Sequence, residues 1–185
     1  MANPSSISRR LNSFFGALQH NDFENAFIHY FPALDKTAKL RRPKENVSKR
    51  IKAFLTEEEK LLSFIALGGF VVGNTFNGVS VIDALYKYGR TSIAHEGELD
   101  KRLSVQEGRG VSFGDEFILD KKYLSALGII VILSPENIGE HLEGNYNLYL
   151  IDKYINVNSL WGRKEDVIKK IISLGINEET IRYYP

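Results

Sequence analysis

The sequence contains no cysteine. That excludes disulfides, thiolate zinc sites and a cysteine nucleophile, and it suits a reducing compartment. Long apolar runs are missing too. The longest, Ala126 to Leu133, falls well short of the roughly 20 apolar residues a membrane-spanning helix needs and reads as a buried core segment. The N-terminus, MANPSSISRRLNSFFGAL, lacks the extended apolar core of a secretory signal. A cytoplasmic location with no membrane partner is the expectation. Net charge is nearly absent, with 24 Lys plus Arg against 23 Asp plus Glu. The bulk field therefore gives no argument for strong nonspecific binding to nucleic acid. No repeat or low-complexity linker interrupts the chain. Its 185 residues suffice for one domain, or one domain with an appendage, around a core that needs no covalent staple.

What is present is mainly helical periodicity. Ser5 or Ser6 caps a first helix to Gln19, with Ile7, Leu11, Phe14, Phe15 and Leu18 as its apolar stripe. Asp22 to Leu40 follows as a second helix, with Pro32 expected to kink or restart it and Pro43 to end the segment. Asn46 or Ser48 can cap a short third helix through Phe54, and Thr56 with Glu59 has capping-box spacing for a separate fourth. In that reading Glu57, Glu58 and Glu59 occupy a first turn, where the helix dipole favours acids. GNTFNG, Gly73 to Gly78, marks a turn, and Ser80 can cap the helix after it. The fold class expected is mainly α, an antiparallel bundle over residues 1–100 with a small α+β C-terminal extension over 101–185 packed on it as one compact unit. The extension has extended pieces around Phe117 to Leu119, an apolar helix from Lys121 to Leu133, a strand or hairpin within Asn145 to Asn158, and a closing helix from Arg163 to Leu174.

Local charge is less even than the total. Lys36 to Lys52 carries Lys36, Lys39, Arg41, Arg42, Lys44, Lys49, Arg50 and Lys52 against the single acid Glu45. Such a run is either a solvated helix-loop-helix connection or a surface that follows a phosphate backbone.

The chemistry concentrates in DALYKYGRTSIAHEGELD, Asp83 to Asp100. Arg90 and His95 are its centre, with Tyr86, Lys87, Thr91 and Glu96 around them. Histidine titrates near neutral pH, and arginine offers a rigid donor fork for phosphate oxygens. At ~100° per residue, positions five apart do not share a helix face, so the pair converges only where the helix ends or bends. Gly89 and Gly97 permit such an end. His20, His29 and His141 have no matching partners, and no cluster of metal ligands or cofactor motif is apparent. GFVVGNTFNG lacks the lysine of a phosphate-binding loop.

The run Arg90, Thr91, Ser92, Ile93, Ala94, His95 resembles the signature of the HEPN domain, an Arg followed after four to six residues by a His on the last helix of a bundle. YKYGRTSIAHEGEL resembles the signature helix of one HEPN-like group, and NDFENAFIHYFPALDKTAKLRRP its second helix. ILSPEN and INVNSLWGR fit the continuation of such a chain. The resemblance implies a HEPN-like helical bundle and a homodimer whose signature helices meet across a twofold cleft. It implies metal-independent endoribonuclease chemistry on RNA in a defence or toxin-antitoxin setting, with an antitoxin as a further partner. Arg90 and His95 would be catalytic, and Thr91, Tyr86, Glu96 and Lys87 would bind substrate. Thr91 stands where catalytic members usually carry Asn, Asp or His, and it retains a hydroxyl.

Two other functions remain open from sequence. One is a noncatalytic module of the same fold that binds RNA, nucleotide or protein; the other is an adaptor that makes contact through Lys39 to Arg50. Residue by residue, His95 has a plainer role as a helix-terminal histidine paired with Glu96 or Glu98, and Arg90 as the partner of Glu96. Tyr86 and Tyr88 can stack on bases or fill core.

Overall fold

A computed structural model describes residues 4–108, 110–151 and 153–182, with only the backbone described at Arg182. Arg109 and Asp152, inside two expected extended segments, lie outside the described residues. The first helix, α1, spans Ser6–Gln19; Ser5 caps it by accepting from the amides of Ile7 and Ser8. All five residues of the expected stripe are buried. Asp22 caps α2, Phe23–Arg41, by accepting from the Asn25 amide. This helix runs on through Pro32 and presents Ala26, Phe27, Tyr30, Phe31 and Leu34 to the core.

The expected third and fourth helices are one. From its cap at Asn46, α3 runs unbroken over Val47–Leu67 and stops at Gly68, a left-handed residue with φ 71°. Thr56 therefore sits mid-helix, and the acids after it are not a first turn. Their charge is met from outside the helix. Arg41 Nη1 lies 2.7 Å from Glu58 Oε1 and 3.1 Å from Glu57, Arg42 pairs with Glu57, and Lys164 Nζ lies 2.7 Å from the other Glu58 oxygen. Glu59 accepts from the Gly73 amide at 3.2 Å.

Beyond a two-stranded hairpin, β1 Thr75–Phe76 and β2 Val79–Ser80, the helical stretch resumes. It begins as α4, Val81–Ala84, widens into a π-helix over Leu85–Thr91, and closes as α5, Ser92–Glu96. Three further strands form one sheet in the order β3, β5, β4: Leu103–Gln106, Phe117–Asp120 and Ser112–Phe113. In it β3 runs parallel to β5, with Leu103 opposite Phe117.

Asp120 caps α6, Lys121–Leu133, which is buried on every side over Ala126 to Leu133. A helix apolar all round belongs inside a bundle. It packs on α3, α1 and α2, and Gly128 lets the Phe14 ring lie directly on its backbone. The stretch after Ser80 is thus not the last helix of the bundle, because α6 enters the core after it. The hairpin β6 Asn147–Leu150 and β7 Lys153–Asn156 follows, then α7 Lys164–Ser173 and a short α8, Glu178–Arg182. The architecture is mainly α with a small strand-bearing extension. Among the described residues no helix is long and apolar enough to cross a membrane.

Candidate functional site

The π-helix places the candidate residues. Ser80 starts the stretch by accepting from the Asp83 amide, and Gly97 ends it in a left-handed turn with φ 81°. Its inward face is Val81, Ile82, Ala84, Leu85, Tyr88 and Gly89. Gly89 is required there: a Cβ at this position would stand 2.6 Å from Phe31 Cζ. The backbone therefore sits against α2, and Tyr88 packs on the far side against Phe117 with centroids 6.1 Å apart. The Asp100 amide donates to the Tyr88 carbonyl at 3.0 Å, folding the chain after α5 back onto the π-helix. π-Helical turns inside α-helices are uncommon and recur at functional sites.

Cations gather on the two tyrosine rings of the stretch, the half-buried Tyr86 and the buried Tyr88. Lys52 Nζ lies 5.3 Å from the centre of the half-buried Tyr86 ring, and the Arg90 guanidinium 6.0 Å from it. Lys87 and Arg102 flank Tyr88 at 5.7 and 4.2 Å. Lys52 is also tied to Asp83 at 2.6 Å, and the bonds from Lys52 and Ser80 hold the Asp83 carboxyl below its ordinary value against the opposing effect of burial. Neither Lys52 nor Arg102 belongs to the candidate set read from sequence. Only folding brings Lys52, from α3, to Tyr86.

Arg90 is half-buried and His95 exposed. π bonding ends at Thr91, so most of the interval between them is ordinary α-helix, and five such steps leave the two side chains about 140° apart around the axis. One protomer does not bring the pair together. The expected pairings of His95 with Glu96 or Glu98, and of Arg90 with Glu96, are absent. Among the described residues neither makes a side-chain hydrogen bond or ion pair. Thr91 is half-buried beside Arg90, while Lys87 and Glu96 are exposed on the same stretch. His29, away from this site, meets Arg10 at 3.1 Å; burial and that charge lower its pKa.

The basic run is in part the solvated helix-loop-helix connection expected, with Lys36, Lys39, Lys44 and Lys49 exposed around the α2–α3 link. Arg41 is half-buried among acids, with Glu136 at 2.8 Å besides Glu57 and Glu58, and its guanidinium stacks 4.5 Å from the Phe54 ring centre. Burial acts to raise the Glu136 carboxyl, but the Arg41 bonds outweigh it and leave it below its ordinary value. Arg50 holds Asp35 at 2.7 and 2.9 Å. Arg41, Arg42, Arg50 and Lys52 are thus ion-paired within the chain, while the other lysines of the run face outward.

With this geometry in hand, the family can be placed. A family model described as Rv1289 matches residues 6–183. The chain belongs to the Rv1289 family. No curated protein and no solved structure matches it. Membership spans both the bundle and the strand-bearing extension, so α6 and α7 are as much part of the family's unit as the π-helix.

Proposed function

We propose that this protein is a HEPN-like homodimer that acts on RNA as a metal-independent endoribonuclease, with its site assembled from the π-helix region of two protomers. One observation carries the proposal: Arg90 and His95 diverge on one helix, yet neither makes a side-chain hydrogen bond or ion pair among the described residues. A half-buried arginine and an exposed histidine without intrachain ionic partners are suited to a charge that lies outside the chain. Across a twofold axis, one protomer's Arg90 can face the other's His95.

In the reaction, one His95 takes the proton of a ribose 2'-hydroxyl as its oxygen attacks the adjacent phosphorus. The bond from phosphorus to the 5'-oxygen breaks, and the second His95, protonated, gives that oxygen its proton. The products are a 2',3'-cyclic phosphate and a 5'-hydroxyl. Arg90 neutralises the charge that develops on the phosphorane, and Thr91 can donate its hydroxyl beside it. The half-buried Tyr86 ring, with Lys52 and Arg90 near it, would contact a base and its phosphates. Lys87 would contact the backbone, and Glu96 would orient the neighbouring histidine. A toxin-antitoxin or defence role, with a protein that covers the cleft, is the setting that fits such an activity.

The cation-flanked Tyr86 also favours a second reading, a dimer that binds single-stranded RNA without cutting it. Purified protein incubated with structured RNA in the presence of a chelator, beside His95→Ala, separates the two. Cleavage to cyclic-phosphate ends that His95→Ala abolishes supports the enzyme. Intact RNA that both proteins bind equally supports the binding module, and a monomer in light scattering sinks the composite site.

A further inference from the structure

A cavity of about 810 Å³ lies away from the π-helix, between the last turns of α1 and α3, the first half of α6 and the β6–β7 hairpin. Its walls are Phe15, Leu18, Phe64, Ile129, Tyr146 and Leu148. Small-molecule sites have this size and this composition, apolar walls with a few polar groups that fix orientation. Here the polar groups include Lys121, Lys122 and Ser125 at the start of α6.

The charged residues that line the cavity have one sign. Its lining includes both lysines and no carboxylate. Lys121 is already held by Asn21 at 2.6 Å and lies 3.7 Å from Glu107. Lys122 is exposed and, among the described residues, makes no side-chain hydrogen bond or ion pair. At the rim, Leu67, Tyr149 and Leu174 stay 37, 62 and 50% exposed, although large apolar side chains are normally covered. An apolar hollow, an apolar rim and one available ammonium match a molecule with an apolar body and a single negative charge.

We propose that this cavity binds a single-tailed carboxylate amphiphile, its tail among Phe15, Phe64 and Leu148 and its carboxylate at Lys122. Concavity argues for a small molecule over a flat protein surface, and the absence of acidic lining argues against a cationic one. The cavity shares no residue with Arg90, His95 or Tyr86, so its test is independent of RNA cleavage.

The full chain is titrated calorimetrically with dodecanoate below its micelle concentration, and separately with dodecanol. The expected result is saturable one-to-one binding of dodecanoate, with dodecanol about tenfold weaker or worse because it lacks the charged hydrogen bond. Lys122→Glu should weaken dodecanoate by at least that factor, and Leu174→Glu at the rim should weaken it as well. Both positions are solvent-exposed, and unchanged thermal melts would show that each variant folds. Absence of saturable binding overturns the proposal, as does equal binding of the alcohol or indifference to Lys122→Glu. A dimer that Leu174→Glu dissociates, without carboxylate binding, would assign the cavity to a second copy and overturn it too.

Discussion

The backbone of Gly89 rests on the ring of Phe31, so closely that a methyl group at position 89 would stand 2.6 Å from Phe31 Cζ and 3.2 Å from Leu103 Cδ2. This contact fixes the π-helix against α2, and with it the height at which Tyr86 and Arg90 stand from the core. Gly89→Ala is therefore expected to destabilise the protein by about 1–3 kcal/mol through overpacking, despite alanine's better helix propensity. Adding Phe31→Leu should recover part of that loss, since the two positions touch. Urea unfolding of the single and double variants measures both; strictly additive costs would mean that the contact is not what makes glycine necessary.

Arg41 and Glu58 make the second test. The Glu58 side chain has no solvent exposure and lies 2.7 Å from the Arg41 guanidinium. Arg41→Met leaves a buried carboxylate with Lys164 as its remaining partner and should cost about 3 kcal/mol. Adding Glu58→Gln should reduce that penalty, because the stranded charge is gone. Denaturant midpoints decide, and a double variant worse than the sum of the singles would contradict the geometry.

Because α3 is continuous, its caps are asymmetric in value. Asn46 accepts from the Lys49 amide at 3.0 Å, so Asn46→Ala should lower stability by about 1 kcal/mol. Thr56 caps nothing, and Thr56→Ala should fall within about 0.5 kcal/mol of wild type. Circular dichroism melts of the two variants discriminate one helix from two.

Acid sensitivity has a named source. Bonds from the Arg102 side chain lower the Asp100 carboxyl from 3.8 to about 2. A carboxyl depressed on folding adds stability that is fully present above its unfolded value and lost as pH falls through its folded one, here between 3.8 and about 2. Arg102→Gln should therefore make the loss of stability across that window shallower while changing little near neutrality, where the exposed pair counts for little. Unfolding midpoints followed from neutral pH to about pH 2 provide the comparison; parallel curves for both proteins would remove Asp100 from the account.

The candidate site predicts a separation of activity from stability. His95 is exposed and lacks an ionic partner among the described residues, so His95→Ala should change stability by less than about 0.5 kcal/mol. RNA cleavage, if His95 carries the proton, should fall by roughly 10²–10⁴. Arg90→Lys should retain charge yet lose much of the rate, because the planar donor fork is gone. A His95→Ala protein that still cuts at the wild-type rate would remove the histidine from the mechanism.

Local signals were legible wherever the deciding partner lay nearby in the chain. The stripe of α1 and its Ser5 cap, the Asp22 cap of α2, the Ser80 cap of α4 and the apolar run from Ala126 to Leu133 in α6 all follow from periodicity or from bonds spanning a few residues. The capping-box reading at Thr56 failed because the same pattern of threonine and acids also fits mid-helix when cations arrive from elsewhere. Those cations come from far along the chain: Arg41 stands 17 positions before Glu58, and Lys164 reaches the same carboxylate from α7. No window of sequence contains that information.

The sequence by itself determined a cysteine-free, mainly helical chain and singled out Arg90 and His95, because composition, period and residue chemistry are local properties. Tertiary structure alone decided that α3 is unbroken and that Arg41, Arg42, Arg50 and Lys52 of the basic run are held in ion pairs. It also decided that Lys52 and Arg90 both approach the Tyr86 ring and that an apolar cavity opens beside Lys122. Each of those depends on which distant side chains meet, and long-range packing and ion pairing set that only after the chain has closed on itself.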